Sequence, residues 1–304
     1  MVAAVNMKPP ERRHLDPRKL GLLEARYYET YRVANIIANI LRDPFPYIRN
    51  LDEFYGDLSA YTFLEPFPRQ SYFHRFIEFI IVDLVFDDLG EFDLDQAREN
   101  EAKFRGFPDS EQHHYTLSPI ERALNYHEID HQSFCDWLSG QGVSFDDADA
   151  DHLHDYYCEL RLTGEFDELA ERMTEEVFFI MFVNRQAMRD FNVMMAGVIS
   201  QIALPEVEPD KRRFMKRDGV LRRANPPMWA KKAVFFRERG KCALTRKDLS
   251  GLLSTLNKAH FDHIVPLAQG GLNDITNLQL LAEVVNCVKS AESAETSALY
   301  ERWY

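Results

Sequence analysis

The apolar positions of the first 210 residues recur at helical spacing, and short polar or proline-rich stretches separate them. This pattern predicts a mainly α-helical N-terminal domain. Residues 177–183 are apolar on every side, which predicts a segment buried in its core. Prolines and aromatic residues between 43 and 70 predict irregular structure packed on the helices. The predicted helices cover residues 16–42, 71–89, 148–162 and 165–202, the last as one helix or two.

Local signals predict where several of these helices begin and end. Asp16 followed by Pro17 is typical of a helix start, because proline suits the first helical position. Ser118 and Glu121 have the spacing of a capping box, so another helix is expected to begin there. Glycines leave the helical conformation easily and are common just after a helix. The glycines expected to end helices are Gly140, Gly142 and Gly164.

The C-terminal part has a different pattern, in which a turn follows a short apolar run. Asp262 and His263 come before Pro266, and a Gly270-Gly271 pair then favours a reversal of the chain. This order predicts a β-hairpin whose first strand carries the Asp-His pair.

A helix is expected after that hairpin. Residues 278–290 have apolar side chains at helical spacing, and Thr276 or Asn277 can cap a helix that begins there. Asn286 and Lys289 are three residues apart and would share one face of it. The predicted fold class is therefore a mainly α N-terminal domain plus a small α+β C-terminal domain.

Five polar residues with useful chemistry follow one another in this C-terminal part: Asp262, His263, Asn277, Asn286 and Lys289. Their order and spacing resemble the active site of HNH nucleases, which cut phosphodiester bonds with one metal ion on a ββα scaffold. The resemblance covers about residues 228–292, less than a quarter of the chain. The alternatives are an ordinary strand–turn–helix with a surface Asp-His pair and an inactive HNH fold, although no motif position is replaced.

The resemblance implies a role for each of these residues. His263 would be the general base, which suits a side chain whose pKa lies near neutral pH. Asp262 and Asn286 would bind the metal, Asn277 would hold the hairpin loop, and Lys289 would lie near the scissile phosphate. Oxygen ligands of this kind favour Mg²⁺ or Mn²⁺ over Zn²⁺.

Many HNH domains also bind a structural zinc through two cysteine pairs. Here Cys242 occupies the first of those positions, but Thr245, Ala282 and Val285 occupy the other three. A tetrahedral zinc site needs four ligands, so no structural zinc is expected. An apolar core is expected in its place. Its predicted members are Phe235, Phe236, Leu249 and Leu281.

The net charge of −13 is unevenly distributed along the chain. Residues 211–304 contain 17 Lys/Arg and 9 Asp/Glu, whereas residues 1–210 contain 19 and 40. An acidic surface repels a phosphate backbone, so DNA contacts are expected from the basic part. The predicted DNA-binding residues, for which an ordinary solvated charge run is the alternative, are Lys211, Arg212, Arg213, Lys216, Arg217, Arg222 and Arg223.

These patterns divide the chain into three predicted parts. Residues 1–210 form an acidic, mostly helical regulatory or recognition domain, 211–227 a basic linker, and 228–304 the HNH nuclease domain. Four cysteines without paired spacing suit a reducing, cytoplasmic compartment. No apolar run is long enough to span a membrane, so no membrane partner is expected.

Two weaker patterns suggest other metal sites. His127, Glu128 and His131 fit the H-E-x-x-H pattern of zinc peptidases, but charged and polar residues inside and after it favour a helix corner. The aspartates and histidines of 146–155 favour a solvated loop and an acidic first helical turn over a cation site.

The function expected from the sequence is a metal-dependent HNH endonuclease that nicks DNA, with DNA as its partner and Mg²⁺ or Mn²⁺ as its cofactor. A role in phage defence, restriction or a mobile element is expected, with the nuclease restrained by the oppositely charged N-terminal domain. That acidic domain is also expected to bind a protein partner or a second copy of the chain. The alternative is a non-catalytic DNA-docking adaptor whose helical domain binds a partner.

Overall fold

A computed structural model describes residues 23–56, 59–85, 92–104, 117–251, 259–289 and 293–302. Its α-helices are α1 (Thr30–Arg42), α2 (Ile48–Tyr55), α3 (Tyr72–Phe79), α4 (Leu94–Phe104), α5 (Pro119–Tyr126), α6 (Phe134–Gln141), α7 (Ala150–Thr163), α8 (Glu165–Met181), α9 (Arg185–Ile199), α10 (Met228–Arg237) and α11 (Glu283–Lys289). The strands are β1 (Met215–Arg217), β2 (Val220–Leu221), β3 (Ala259–His263) and β4 (Leu278–Ala282), and they form two antiparallel pairs, β1–β2 and β3–β4.

Helices α8 and α9 form the centre of the N-terminal part. Their apolar residues recur every three or four positions, so each helix buries one apolar stripe in the core. Helices α1 and α3 pack against this pair. The predicted segment 165–202 is therefore two helices, with Asn184 capping the second. Buried positions along the pair are Leu169, Met173, Val177, Met188, Phe191, Met195 and Ile199.

The start of α1 differs from the prediction. Asp16 and Pro17 lie outside the described residues, and the described helix begins at Thr30, not within the segment that precedes it. The carboxylate of Glu176 on α8 accepts hydrogen bonds from the backbone N–H groups of Arg26 and Tyr27 and from the Thr30 hydroxyl. These contacts hold residues 26–27 out of the helix, so a tertiary contact sets its first turn.

Most of the predicted helix ends are confirmed. Ser118 and Glu121 form the capping box of α5, Gly142 ends α6 and Gly164 ends α7, both glycines in the left-handed conformation. Gly140 lies inside the last turn of α6. The prediction that 177–183 is buried throughout is wrong, because Phe179 is 57% exposed and Val183 47% exposed.

The H-E-x-x-H segment is a helix corner, as the polar residues around it predicted. Helix α5 ends at Tyr126, and Glu128 has a positive φ of 52°, so the two histidines do not share a helical face. Glu128 forms an ion pair with Arg26 at 2.7 Å. In the acidic segment, Asp149 caps α7 through the backbone N–H of His152.

The helix predicted to begin at residue 278 is wrong over its first five residues. Leu278–Ala282 form β4, which pairs with β3, and the helix begins only at Glu283. All five residues of β4 are buried, so the strand is covered on both faces. Asp274 caps a single 3₁₀ turn, Ile275–Asn277, which leads into β4.

The predicted apolar core of the C-terminal part is confirmed for three of its four residues. Leu249 and Leu281 are buried in one cluster with Ala230 and Val234 of α10, and Phe235 packs against that cluster. Phe236 is 74% exposed and does not belong to it.

The N-terminal helices and the C-terminal part are joined by buried contacts. Ile264 and Leu272, which lie in the loop between β3 and β4, belong to the same apolar cluster as Phe191 of α9. The backbone N–H of Tyr72 donates to Asp274 at 3.0 Å. Gly270 packs so closely on α9 that an added Cβ would lie 2.7 Å from the Ala196 carbonyl oxygen.

The segment predicted as a basic linker has regular structure. Strands β1 and β2 form a small hairpin, and Met215 and Leu221 are buried in the N-terminal apolar cluster. The predicted domain boundaries stay predictions, but residues 211–227 are folded onto the N-terminal helices and are not an extended connection.

Residues 293–302 cross the surface between α9 and α10 as a tail. Arg185, at the start of α9, is 2% exposed and donates to the carbonyl oxygens of Ser297 and Leu299 and to the Glu238 carboxylate. Further along the tail, the carbonyl oxygen of Glu295 accepts from Gln279 at 2.9 Å. Thus one buried arginine holds the tail, α9 and the end of α10 together.

Within the part of the chain that the structure describes, no helix is long and apolar enough to cross a membrane.

Candidate active site

The strand β3 delivers the Asp-His pair to a pocket. Asp262 lies opposite Gln279 of β4, and His263 lies opposite Leu278 at the end of the pairing. Together with Asn286 they line a cavity of about 290 Å³, which can hold a phosphate group and its ions. The remaining lining residues are Arg223, Pro266, Leu267 and Ala268.

Asn277 holds the hairpin loop closed. Its side-chain oxygen accepts from the backbone N–H of Val265 at 2.8 Å, and its amide nitrogen donates to the carbonyl oxygens of Val265 at 3.0 Å and Leu272 at 2.9 Å. The loop also needs a glycine at 271, where a Cβ would lie 2.0 Å from the Val265 carbonyl oxygen. A fully buried amide thus fixes the backbone just after His263.

Helix α11 brings Asn286 and Lys289 to β3 from one face, as their spacing predicted. Lys289 is 6% exposed, and its ammonium donates to Asp262 Oδ2 at 2.8 Å and to the carbonyl oxygen of His263 at 2.7 Å. The Asn286 side chain contacts His260 Nδ1 at 3.4 Å. Lys289 therefore ties the helix to the strand that carries the Asp-His pair.

The His263 ring is buried and neutral at neutral pH. Burial, reinforced by the positive charge of Arg223, lowers its pKa to about 4, although the Asp262 carboxylate and a hydrogen bond with Asn273 act in the opposite direction. Among the described residues, its Nε2 has no hydrogen-bond partner. A neutral imidazole with an unpartnered nitrogen can accept a proton, which is the chemical requirement for a general base.

Two residues of the site were not identified from the sequence. Asn273 accepts from the backbone N–H of Ala224 and donates to the carbonyl oxygen of Arg222, so it holds the chain on both sides of Arg223. Gln279 is fully buried and contacts Asp262 Oδ2 at 3.4 Å. In the sequence, Asn273 has the appearance of an ordinary turn residue, and Gln279 is one polar position within an apolar run.

The seven predicted DNA-binding residues fall into separate environments. Arg212 donates to the carbonyl oxygens of Val207 and Pro205, and Arg222 to those of Arg213 and Met215. Lys211 is paired with Glu208, and Arg213 lies over the Phe214 ring. Lys216 and Arg217 are exposed on β1, and only Arg223 lines the pocket.

The structure also shows the positions at which many HNH domains have zinc ligands. Cys242 is fully buried, and hydrogen bonds with Thr245 and with backbone groups of Ala282 and Leu244 lie around its thiol. Burial raises the pKa of this thiol, but the hydrogen bonds outweigh burial and lower it overall. Three of the four positions at which zinc ligands would be expected therefore lie together, and one of the three, Cys242, carries a sulfur atom. The expectation of no structural zinc stays a prediction.

The comparisons with known proteins address the C-terminal part alone. The family model described as HNH endonuclease matches residues 246–284, which include β3, the hairpin loop and β4, and no family model matches the N-terminal part. This match confirms the resemblance to the HNH endonuclease family in the C-terminal region and implies a DNA-cleaving nuclease. No curated protein and no solved structure matches the chain.

Proposed function

We propose that this chain is a metal-dependent DNA endonuclease whose base is His263 and whose metal ligands are Asp262 and Asn286. The observation that carries the proposal is the unpartnered Nε2 of His263, in a pocket that also contains a carboxylate and an amide. In the proposed reaction, His263 accepts a proton from water. The oxygen of that water bonds to phosphorus as the bond to the leaving oxygen breaks.

The donor atoms in the pocket fit a hard divalent cation. Asp262 and Asn286 supply oxygen atoms of the kind that Mg²⁺ and Mn²⁺ prefer, and no sulfur ligand competes for the cation among the lining residues. A bound cation would neutralise charge on the scissile phosphate and on the leaving oxygen. No group of three His, Cys, Asp or Glu side chains in the described ranges has the arrangement of a metal site, so water would have to complete the coordination.

Lys289 and Asn277 have supporting roles in this proposal. The ammonium of Lys289 is bonded to Asp262 and to the His263 carbonyl, so we propose that it orients the carboxylate and the strand in addition to adding positive charge near the phosphate. Asn277 holds the loop after His263 and keeps the base in position. One such site acts on one strand at a time, so the expected product is a nick.

The biological role that we propose is nuclease effector of phage defence, restriction or a mobile element, regulated through the N-terminal part. The restraint expected from the opposite charges of the two parts could be released only if the N-terminal helices separated from the nuclease part. The burial of Ile264 and Leu272 in one cluster with α9 opposes such separation. We therefore propose that a protein partner or a second copy of the chain, bound on the acidic helices, acts through this joined core.

A plasmid assay tests the proposal against the alternative of a DNA-docking adaptor. Full-length protein is incubated with supercoiled plasmid in Mg²⁺ or Mn²⁺, and the open-circular product is measured on a gel. We expect nicking that EDTA stops and that Asp262→Ala and Asn286→Ala reduce strongly. A protein that binds the plasmid but does not nick it with either metal would be an adaptor.

A further inference from the structure

Arg223 differs from the other basic residues near it because it lies in the cavity that contains Asp262 and His263. It lies two residues after the end of β2. Its side chain is exposed. A guanidinium in this position can reach an anion held in the pocket.

The backbone at Arg223 is fixed by a buried side chain. Asn273 is 2% exposed, and its amide group bonds to the carbonyl oxygen of Arg222 at 3.0 Å and to the N–H of Ala224 at 3.2 Å. The same side chain is hydrogen-bonded with His263. One amide thus sets the position of the arginine relative to the base, so this is a built arrangement and not an arbitrary surface charge.

The guanidinium of Arg223 also remains available for a ligand. Across the described part of the chain it has no carboxylate or carbonyl partner, whereas Arg212 and Arg222 each donate to two backbone carbonyl oxygens. A guanidinium presents paired N–H donors that match two oxygens of one phosphate. Pre-positioned donors of this kind stabilise charge that develops during a reaction.

We infer that Arg223 binds the phosphate that is cut and stabilises the charge that develops on it, as a catalytic residue of the active site. The inference rests on the proposed nuclease function. It separates Arg223 from Lys216 and Arg217, which are exposed on β1 and do not line the pocket. Arg223 should therefore affect the rate of the bound complex, and Lys216 only its formation.

The test compares Arg223→Ala, Arg223→Lys and Lys216→Ala in the full-length protein, by plasmid nicking in Mg²⁺ over a range of DNA concentrations. Lys216→Ala is the matched control, because it removes one exposed positive charge from the same hairpin. We expect Arg223→Ala to lower kcat by about 10²-fold, as loss of one pre-positioned donor does. Arg223→Lys should retain part of kcat, and Lys216→Ala should raise KM with kcat unchanged.

Chemical rescue tests whether the loss of activity in Arg223→Ala is caused by the missing guanidinium group. Free guanidinium, at concentrations far below those that unfold proteins, should raise the nicking rate of Arg223→Ala and not that of Lys216→Ala. Circular dichroism melting verifies that both variants are folded.

If Arg223→Ala keeps the wild-type kcat and only raises KM, as Lys216→Ala does, the inference is overturned and Arg223 is an ordinary backbone contact. If the wild-type protein nicks no plasmid with either metal, the proposed function fails instead. The wild-type reaction therefore distinguishes the two failures.

Discussion

Two buried histidines in this chain have similar burial and different surroundings. His74 on α3 is 7% exposed and His263 on β3 is 5% exposed, and in both cases burial is the main cause that lowers the pKa to about 4. The His74 ring is engaged, since its Nδ1 accepts from the Ser71 N–H at 3.1 Å and the ring stacks on Phe178. His263 instead leaves Nε2 without a partner among the described residues.

Neither burial nor a lowered pKa therefore distinguishes the proposed base from a structural histidine in this chain. An unpartnered nitrogen is not sufficient either, because His127 has a buried Nε2 without a partner in the described structure and lies at a helix corner. Among the histidines that the structure describes, only His263 combines such a nitrogen with a pocket that contains Asp262 and Asn286. The combination, and not any single property, supports a functional assignment.

The largest expected effect comes from replacing each of the two histidines, His263 and His74, in turn. His263→Ala should lower the nicking rate by roughly 10²–10⁴-fold, the usual contribution of a general base. His74→Gln should leave that rate unchanged, because glutamine at this position can still cap α3 through the Ser71 N–H. Initial rates of plasmid nicking measure both. Wild-type nicking by His263→Ala would show that the base is another group.

The next prediction separates a residue that holds the site from one that acts in it. Asn277→Ala removes three buried hydrogen bonds, each worth about 1 kcal/mol net, and should lower the free energy of unfolding by about 3 kcal/mol. Asn286 lies on the partly exposed α11, so Asn286→Ala should lower the nicking rate strongly with little change in stability. Urea unfolding and nicking assays on both variants measure this contrast. Equal stability losses would contradict it.

The third prediction concerns pH. The folded pKa of His74, about 4, lies below its unfolded value of 6.5, so the unfolded chain binds the extra proton between these values. This contribution to stability is complete above about pH 6.5 and is lost as pH falls towards 4, by roughly 3 kcal/mol in total.

His74→Gln should flatten the fall in stability between pH 7 and pH 5, measured by urea unfolding. His263 has a similarly lowered pKa and remains in that variant, so part of the pH dependence should persist. A variant with the full wild-type pH dependence would show that folding does not lower the pKa of His74.

The smallest expected effect concerns DNA binding outside the pocket. Replacing Lys216 and Arg217 with Ala should weaken binding without sequence preference and reduce the salt dependence by roughly one unit of slope for each phosphate that is no longer neutralised. Arg212→Ala should change the slope less, because its guanidinium is already bonded to the carbonyl oxygens of Val207 and Pro205. Fluorescence anisotropy on duplex DNA at several salt concentrations measures both. Equal slopes for all variants would assign these charges to solvation.

The meeting of Asp262, His263 and Asn286 in one pocket could be predicted, because it depends on order and spacing along one short segment. Leu278–Ala282 were mispredicted because a strand buried on both faces is a largely apolar run, which also fits a helix. Asn273 and the pocket position of Arg223 depend on a contact between segments 49 residues apart, which no local pattern contains. The start of α1 escaped prediction for the same reason, since Glu176 determines it across 146 residues.

The position of the tail determines which contacts can form only late in the synthesis of the chain. The buried side chain of Arg185 on α9 donates to the carbonyl oxygen of Leu299, which lies 114 residues further along the chain. At about 5–20 residues per second, synthesis leaves α9 without that partner for roughly 6–23 s. Gln279, which contacts Asp262, receives its Glu295 partner in the same late interval. The emerging chain therefore spends seconds on the ribosome before the contacts that involve Arg185 and Gln279 can form.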